Sequence, residues 1–400
     1  MNERILISGA SIAGPTLAFW LARYGFRPTV VERAPRLREG GNGVDVRGQA
    51  TQVAERMGIM ARIRAAGTDV IGMSFVNAAN RSVARIDMQA IQRKNASGEV
   101  EIMRGDLAAI LYEVTKDDVE YVFGDSIRTL EQDADGVTVS FERGATRRFG
   151  LVIGADGIHS TVRHLAFGPE SRFVRYLGGY GAFADADPAL GEDRWVTLYN
   201  EPGKVAGVYR SGNHAGAKAM FGFHRREPLT YDHRDIEQQK RLLSEAFAGV
   251  PWRVPELLAG ALADPDFYFD ALSQVRMPSW SSGRVALVGD AAHCASPMAG
   301  AGAMLCLIGA YRLAGELSAA AGDHRVAFRR YEEGHREMVE QSQSQLFIGL
   351  VVPKSRAGIW TRNTMARLPV LGAMAGLERR LQPKTEPLPD YGRECDAAEA

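Results

Sequence analysis

Three turns far apart in the chain carry the residue types that a dinucleotide's phosphates and riboses require: Gly9-Ala10-Ser11-Ile12-Ala13-Gly14, Gly154-Ala155-Asp156-Gly157 and Gly289-Asp290-Ala291-Ala292-His293. Glycine lets the backbone approach an anion closely, and a helix that starts at such a turn presents free N–H groups and a partial positive charge to a phosphate. An acid at a strand's carboxyl end accepts hydrogen bonds from sugar hydroxyls. The first turn is the best defined. Arg4 to Ser8 reads as a short buried strand, Pro15 to Tyr24 as an apolar helix ended by Gly25, and Pro28 to Glu32 as a second strand. Such a unit is a crossover between parallel strands. Gly9 and Gly14 make the turn, Ile12 and Ala13 open the helix, and Glu32, followed by Arg33, is placed to meet a ribose. Ser11 stands where a middle glycine is usual, so the backbone there must tolerate a hydroxymethyl group beside the phosphate. A lone glycine turn also occurs as an ordinary tight turn in α/β proteins; Glu32 favours the nucleotide reading.

The elements that position these turns change character along the chain. Arg104 to Leu111 reads as a helix. Val119 to Phe123, Val137 to Phe141 and Phe149 to Ile153 read as strands, the last running straight into Gly154. Between Phe173 and Arg225 the runs Trp195 to Tyr199, Val205 to Tyr209 and Ala219 to Phe223 are short and separated by glycine, proline or polar turns, which predicts an antiparallel sheet. Helices are expected over 236–248 and 255–262. Arg284 to Val288 restores a buried strand leading into Gly289-Asp290, and helices are expected over 303–321 and 324–345. The fold class is therefore α/β in its nucleotide part and α+β overall. The nucleotide domain is assembled from 1–72, 101–172 and 270–345, with a mainly antiparallel substrate domain (73–100 and 173–269) inserted. A C-terminal helical segment over 346–382 and a proline- and charge-rich tail over 383–400, expected to fray, follow.

Composition bounds the function. In 400 residues, 46% hydrophobic, a large core can be buried in two domains. Lys plus Arg and Asp plus Glu are equal at 48 each, which disfavours nucleic acid or an anionic membrane as partner. Cys294, Cys306 and Cys395 form no paired framework and no CxxC, so a reducing compartment is expected. No charged region followed by a long apolar stretch opens the chain, and the run Leu346 to Val352 is too short to span a bilayer. The expectation is a cytoplasmic protein, monomer or homodimer. His293 beside Cys294 lacks further spaced ligands, so no metal is expected.

The opening turn with Glu32, the run Asp156-Gly157-Ile158-His159-Ser160-Thr161-Val162-Arg163, and Gly289-Asp290-Ala291-Ala292-His293 with Pro297 and Gly300-Ala301-Gly302 resemble the three fingerprints of single-component FAD-dependent aromatic monooxygenases, the para-hydroxybenzoate hydroxylase type. The resemblance runs from about residue 3 to residue 345. Around Gly43-Val44-Asp45-Val46-Arg47 the chain looks most similar to tetracycline-inactivating and antibiotic-tailoring monooxygenases. Gly309 departs from the pattern: many relatives carry an acid there, and glycine cannot make its polar contact.

The resemblance implies a Rossmann-like FAD-binding domain and FAD as cofactor. It further implies NAD(P)H as co-substrate, O2 as oxidant and hydroxylation of an aromatic or polyketide-like small molecule through a flavin C4a-hydroperoxide. NAD(P)H would dock without a Rossmann unit of its own. A turn from Pro297 through Gly300, Ala301 and Gly302 into a helix would direct N–H groups at the reduced flavin's charge. Asp290, after Gly289, suits the ribityl hydroxyls. Arg47 and Arg104 are expected near the phosphate or ring, although Arg104 reads equally as a solvated cation at a helix start. Ile127 is added to the cofactor set. Asp156, Gly157 and Arg163 would shape the pyrophosphate or nicotinamide approach, the alternative being local turn hydrogen bonding. Pro297 and Met298 would border the flavin's reactive edge, and Tyr199, Tyr209, Arg210, Phe221, Phe223 and His224 are candidates to line a substrate pocket. Strand aromatics also serve as plain core. Two alternatives stay open: a flavin-dependent reductase or oxidase without oxygen insertion, and a catalytically silent flavin- or ligand-binding protein. No residue is assigned as general acid or base.

Overall fold

The computed structural model describes residues 3–38, 41–87, 98–344, 351–367 and 387–392. Arg4–Ser8 is central in a six-stranded sheet, flanked on one side by Arg27–Glu32 and Glu120–Phe123, and on the other by Leu151–Gly154, Val285–Leu287 and the short Ser281–Ser282. All pairings are parallel except that of Ser281–Ser282 with Val285–Leu287. A parallel sheet is covered on both faces, which explains why Ile5, Leu6 and Ile7 are consecutive and all fully buried. The covering helices are Ala13–Arg23, Gly302–Ala319 and His324–Ser344. Trp20 of the first meets Tyr311 of the second edge-on, with ring centroids 4.8 Å apart. A three-stranded sheet of Ile127–Gln132, Val137–Phe141 and Arg147–Phe149 leads into the parallel sheet.

The second body is a seven-stranded sheet in the order Tyr268–Val275, Val174–Ala186, Ala217–His224, Lys204–Arg210, Trp195–Glu201, Gly72–Val76, Ser82–Asp87. Its pairings are antiparallel except that of Trp195–Glu201 with Gly72–Val76. Helices Ile236–Phe247 and Val254–Ala263 cover one face through Leu243, Phe247, Val254 and Leu257. On the other face, Phe75, Val196, Leu198 and Val205 pack with Val352 and Ala366 of the C-terminal segment, while Phe183, Lys218, Tyr268 and Asp270 are left uncovered by its described residues. A two-stranded piece, Gly43–Val46 with Val100–Met103, completes the strands and was not foreseen from the sequence.

The α/β class with an antiparallel sheet between its segments is the observed architecture. In the C-terminal part it is the tail that differs from expectation, while the helix lies within the segment where one was expected. Arg356–Ala366 is helical, and the only described part of the expected tail, 387–392, is docked: Leu388 is buried in the main core, and Pro389 O accepts from Tyr311 at 2.7 Å. The Tyr391 ring occupies the space beside Gly315, where a Cβ would lie 2.1 Å from it. Most of the apolar run 346–352, most of 346–382, and the remainder of 383–400 lie outside the described residues.

Candidate active site

A cavity of about 440 Å³ is lined from both bodies, by the carboxyl ends of the parallel strands and by the open face of the antiparallel sheet. Its first wall is the opening turn. Gly9 has φ +108°, and a Cβ on it would lie 2.4 Å from Ala155 O; a Cβ on Gly14 would lie 1.8 Å from Gly9 O. Only glycine lets strand, turn and helix close this tightly. Gly9, Ser11, Ile12 and Ala13 line the cavity, while Gly14 packs behind them. The helix Ala13–Arg23 begins without a side-chain cap and without an acid in its first turn, so its N–H groups are left for an anion. Glu32 reaches this turn: its Oε2 accepts from Ala10 N at 2.9 Å and its Oε1 from Ala34 N at 2.8 Å. Both oxygens are thus fixed at the cavity wall with lone pairs remaining for sugar hydroxyls. Arg33 lines the same wall, as do Arg36 and Arg38, which the sequence reading passed over.

The middle turn is braced internally. Asp156 lines the cavity, yet its Oδ1 accepts from Ser160 Oγ at 2.5 Å and its Oδ2 from Val162 N at 3.1 Å, so it organises the start of helix Thr161–Phe167. Burial raises its carboxyl above the usual range against these hydrogen bonds. Gly157 lines the cavity with φ +80°. Arg163 does not line it: fully buried, it donates to Ala291 O at 2.9 Å and to Ile158 O, tying the middle turn to the late one. Ile127 is likewise core, and its neighbours Asp125 and Ser126 line the cavity instead. Asp125 spends its carboxylate on Ser126, Arg143 and Gly144 N–H groups.

In the late turn, Gly289 has φ +64°, and a Cβ there would lie 2.9 Å from Cys306 Sγ. Asp290 lines the cavity; burial raises its carboxyl, opposed by the Cys294 thiol and by Arg104. Arg104 stands at the start of helix Arg104–Glu113 but faces the cavity and is half-buried, unlike a solvated helix-start cation. Burial lowers its guanidinium below its usual range. Pro297–Ala299 is a short 3₁₀ turn, Gly300 is left-handed at φ 59°, and helix Gly302–Ala319 starts without a side-chain cap or an acid in its first turn. Pro297, Gly300 and Gly302 line the cavity; Ala301 is buried beneath, and Met298 does not line it. Arg47 lies behind the turn, its Nη2 3.5 Å from Ala299 O, rather than in the lining. At Gly309 the space beside the missing side chain is taken by His335, whose Nε2 would lie 3.1 Å from a Cβ. His293 is buried under this wall against Trp280 and His335, and among the described residues no group of His, Cys, Asp and Glu is placed to hold a metal ion.

Of the expected substrate residues Pro297 lines the cavity, and those on the antiparallel sheet stand elsewhere. Tyr199, Phe221 and Phe223 face the covering helices, where Phe221 and Phe223 meet Phe247 at 5.1 and 6.1 Å and Tyr199 stacks on Trp252 at 5.7 Å. Arg210 donates to Pro188 O and Gly191 O, and His224 sits between Gly178 O and Val352 O. Tyr209 is on the opposite face, but its hydroxyl lies by Glu101 and Thr68 outside the lining. The reason is the two-residue period of a strand: choosing the aromatic positions chose the covered face. Phe183, Lys218, Tyr268 and Asp270 line the cavity from this sheet. Asp270 joins the bodies: its Oδ2 is 3.0 Å from His159 Nε2 and its Oδ1 accepts from the Tyr231 hydroxyl at 3.0 Å. His159 Nδ1 lies 3.1 Å from Glu170. Burial opposes the imidazolium, but hydrogen bonds to Asp270 and Glu170 outweigh it and raise His159 to about 9.

These features fit a flavin dinucleotide: two uncapped helix starts, glycine turns that any Cβ would fill, and carboxylates at two strand ends on one cavity. Glu32 and Asp290 would hold sugar and ribityl hydroxyls, the Ala13 helix start the pyrophosphate, and the Pro297–Gly302 turn the isoalloxazine. The sequence pattern of the FAD binding domain family matches residues 3–342. A flavin-dependent monooxygenase of Legionella longbeachae is 39% identical over 86% of this chain and 87% of its own length, and an uncharacterized protein of Mycobacterium tuberculosis is 45% identical over 85% and 92%. The crystal structure of tetracycline destructase Tet(55) superposes with a TM-score of 0.80 at 36% identity, covering 98% of this chain and 99% of that one. Among the described residues no helix is long and apolar enough to cross a membrane. With its cofactor turns on one cavity and a family pattern spanning both bodies, the chain belongs to the FAD binding domain family and is an FAD-dependent monooxygenase.

Proposed function

We propose that this enzyme consumes NAD(P)H and O2 to hydroxylate an aromatic or polyketide-like small molecule. The observation that carries the reading is the shared cavity, whose lining includes Pro297, Gly300 and Gly302 of the late turn together with Phe183, Lys218, Tyr268 and Asp270 of the antiparallel sheet. Bound FAD supplies the redox chemistry, accepting reducing equivalents from NAD(P)H and activating dioxygen. The chain's own groups do the rest. Uncapped N–H groups of the Gly302 helix stabilise negative charge at the ring, and Ala303, Cys306, Phe183 and Tyr268 make parts of the wall apolar and exclude water. A substrate phenol or enol supplies the electron density, so no protein base is required. The resemblance to tetracycline destructases supports a fused-ring substrate. We place the enzyme in the cytoplasm as a monomer or homodimer; the thiols of Cys294 and Cys306 are free and buried, as a reducing compartment permits.

The test is substrate-stimulated NAD(P)H oxidation with oxygen uptake, followed by mass spectrometry of product formed under ¹⁸O₂. One labelled oxygen per product is expected. NAD(P)H oxidation without label in product supports the reductase or oxidase alternative, and flavin and ligand binding without turnover supports the silent binding protein.

A further inference from the structure

Residues 387–392 contribute nothing to the cavity lining, yet they are docked on two helices that lead to it. Pro389 O accepts from Arg56 Nη1 at 2.8 Å and from the Tyr311 hydroxyl at 2.7 Å, and Arg56 also donates to that hydroxyl. The Tyr391 hydroxyl donates to Glu316 Oε1 at 2.8 Å, and its ring meets that of Tyr311 with centroids 5.4 Å apart. Leu388 is buried in the core of the parallel body. Gly315 makes the seat. Glycine inside a helix is unfavourable by about 1 kcal/mol against alanine, and here its missing Cβ leaves the space that the Tyr391 ring fills.

The helices joined in this way lead to two walls of the cavity. Arg56 is the last residue of helix Gln49–Arg56, which follows closely on strand Gly43–Val46, and Val44 and Asp45 of that strand line the cavity. Tyr311, Gly315 and Glu316 belong to helix Gly302–Ala319, whose start lines the cavity from the late turn. The two helices pack on each other. At the cavity their walls approach closely, with Asp45 Oδ2 3.6 Å from the place a Cβ on Gly300 would take. Trp20 of helix Ala13–Arg23 meets Tyr311 as well, so the helix that starts at the opening turn is tied to the same ring. Packed helices carry a restraint at one end to the other. We propose that Leu388, Pro389 and Tyr391 form a strap that sets the spacing of the FAD-binding walls, as positioning residues for a cofactor whose cavity they do not line. The inference rests on placing FAD in this cavity. Docking of the strap and binding of FAD are then linked, and each strengthens the other by the same factor.

The experiment measures FAD affinity of the full chain by flavin fluorescence after mild removal of the cofactor, beside the urea unfolding midpoint of the flavin-free protein. Tyr391→Ala and Leu388→Ala are each expected to raise the Kd for FAD about five- to tenfold. Tyr391→Phe keeps the ring in its seat and loses only the hydrogen bond to Glu316, so it should stay within about threefold of wild type. Phe221→Ala, in the core of the other body, controls for lost stability: it lowers the midpoint and leaves the FAD Kd unchanged. Reciprocally, saturating FAD should slow amide hydrogen exchange across 387–392 about five- to tenfold in wild type. The proposal is overturned if the two Ala variants bind FAD as wild type does, if Phe does not rescue, if Phe221→Ala weakens FAD as much, or if FAD leaves exchange at the strap unchanged. FAD lost from Asp290→Ala but held normally by the strap variants would keep the cofactor in this cavity and remove the strap from its hold. If Asp290→Ala also retains FAD normally, the placement of the cofactor falls with the strap.

Discussion

The parallel and antiparallel sheets meet at one cavity but present their residues to it differently. The parallel sheet is apolar on both faces, so its contribution comes from strand ends and turns: Gly9, Glu32, Gly157 and Asp290. The antiparallel sheet contributes from side chains along its strands, where successive residues alternate between a helix-covered face and a cavity face. In the first case a functional position needs a special residue type. In the second, Phe221 and Phe183 are the same residue type on opposite faces, and only packing tells them apart.

The largest expected effect tests that division of faces. Phe221→Ala removes a ring from the helix-covered face and should cost about 3–5 kcal/mol of unfolding free energy in urea while leaving the ligand Kd unchanged. A weakened Kd with unaltered stability would reverse the assignment.

A similar magnitude is expected from acid on the parallel-sheet side. Burial, with Arg336 nearby, lowers His293 to about 3, and burial also lowers His335. Because the folded pKa of His293 lies below its unfolded value near 6.5, the folded protein binds fewer protons in between. Its contribution is whole above the unfolded value and falls by roughly 4 kcal/mol as pH drops toward 3. Flavin fluorescence on acidification should rise within that window. Replacing His293 with Gln should flatten the loss; an unchanged profile would place the titrating groups elsewhere.

Smaller changes sharpen the role of single positions. Asp290→Ala should weaken FAD about ten- to hundredfold, read by flavin retained after dialysis, because charge-assisted hydrogen bonds are lost. Full occupancy would remove Asp290 from the cofactor's hold. At Gly315 two effects compete. Alanine improves helix propensity by about 1 kcal/mol, while the Tyr391 ring 2.1 Å from the new Cβ imposes an overpacking cost of about 1–3 kcal/mol. A net loss of about 1 kcal/mol is expected, with faster proteolysis of the C-terminal segment; a stabilised variant would mean that Tyr391 simply moves aside.

Legibility followed the same divide. The strand–turn–helix at the N-terminus, the two later turns and most helices could be read because glycine, aspartate and apolar period are written locally. Phe183 was missed because Tyr180 and Phe183, three residues apart, fall on opposite faces of one strand and nothing local marks which side is covered. Tyr268 was missed because Asp264 to Tyr268 reads as a polar turn and hides the strand that begins there. Arg163 and Ile127 carried the right residue types, yet long-range packing turned both inward.

The sequence by itself determined the chemistry of the turns, since a backbone that must meet phosphate admits glycine and little else. Tertiary structure decided which groups face the cavity from the inserted sheet, which arginine braces rather than binds, and where the chain's end docks. Those outcomes depend on contacts between residues far apart in sequence, and a two-residue alternation is blind to which of its two faces another element will cover.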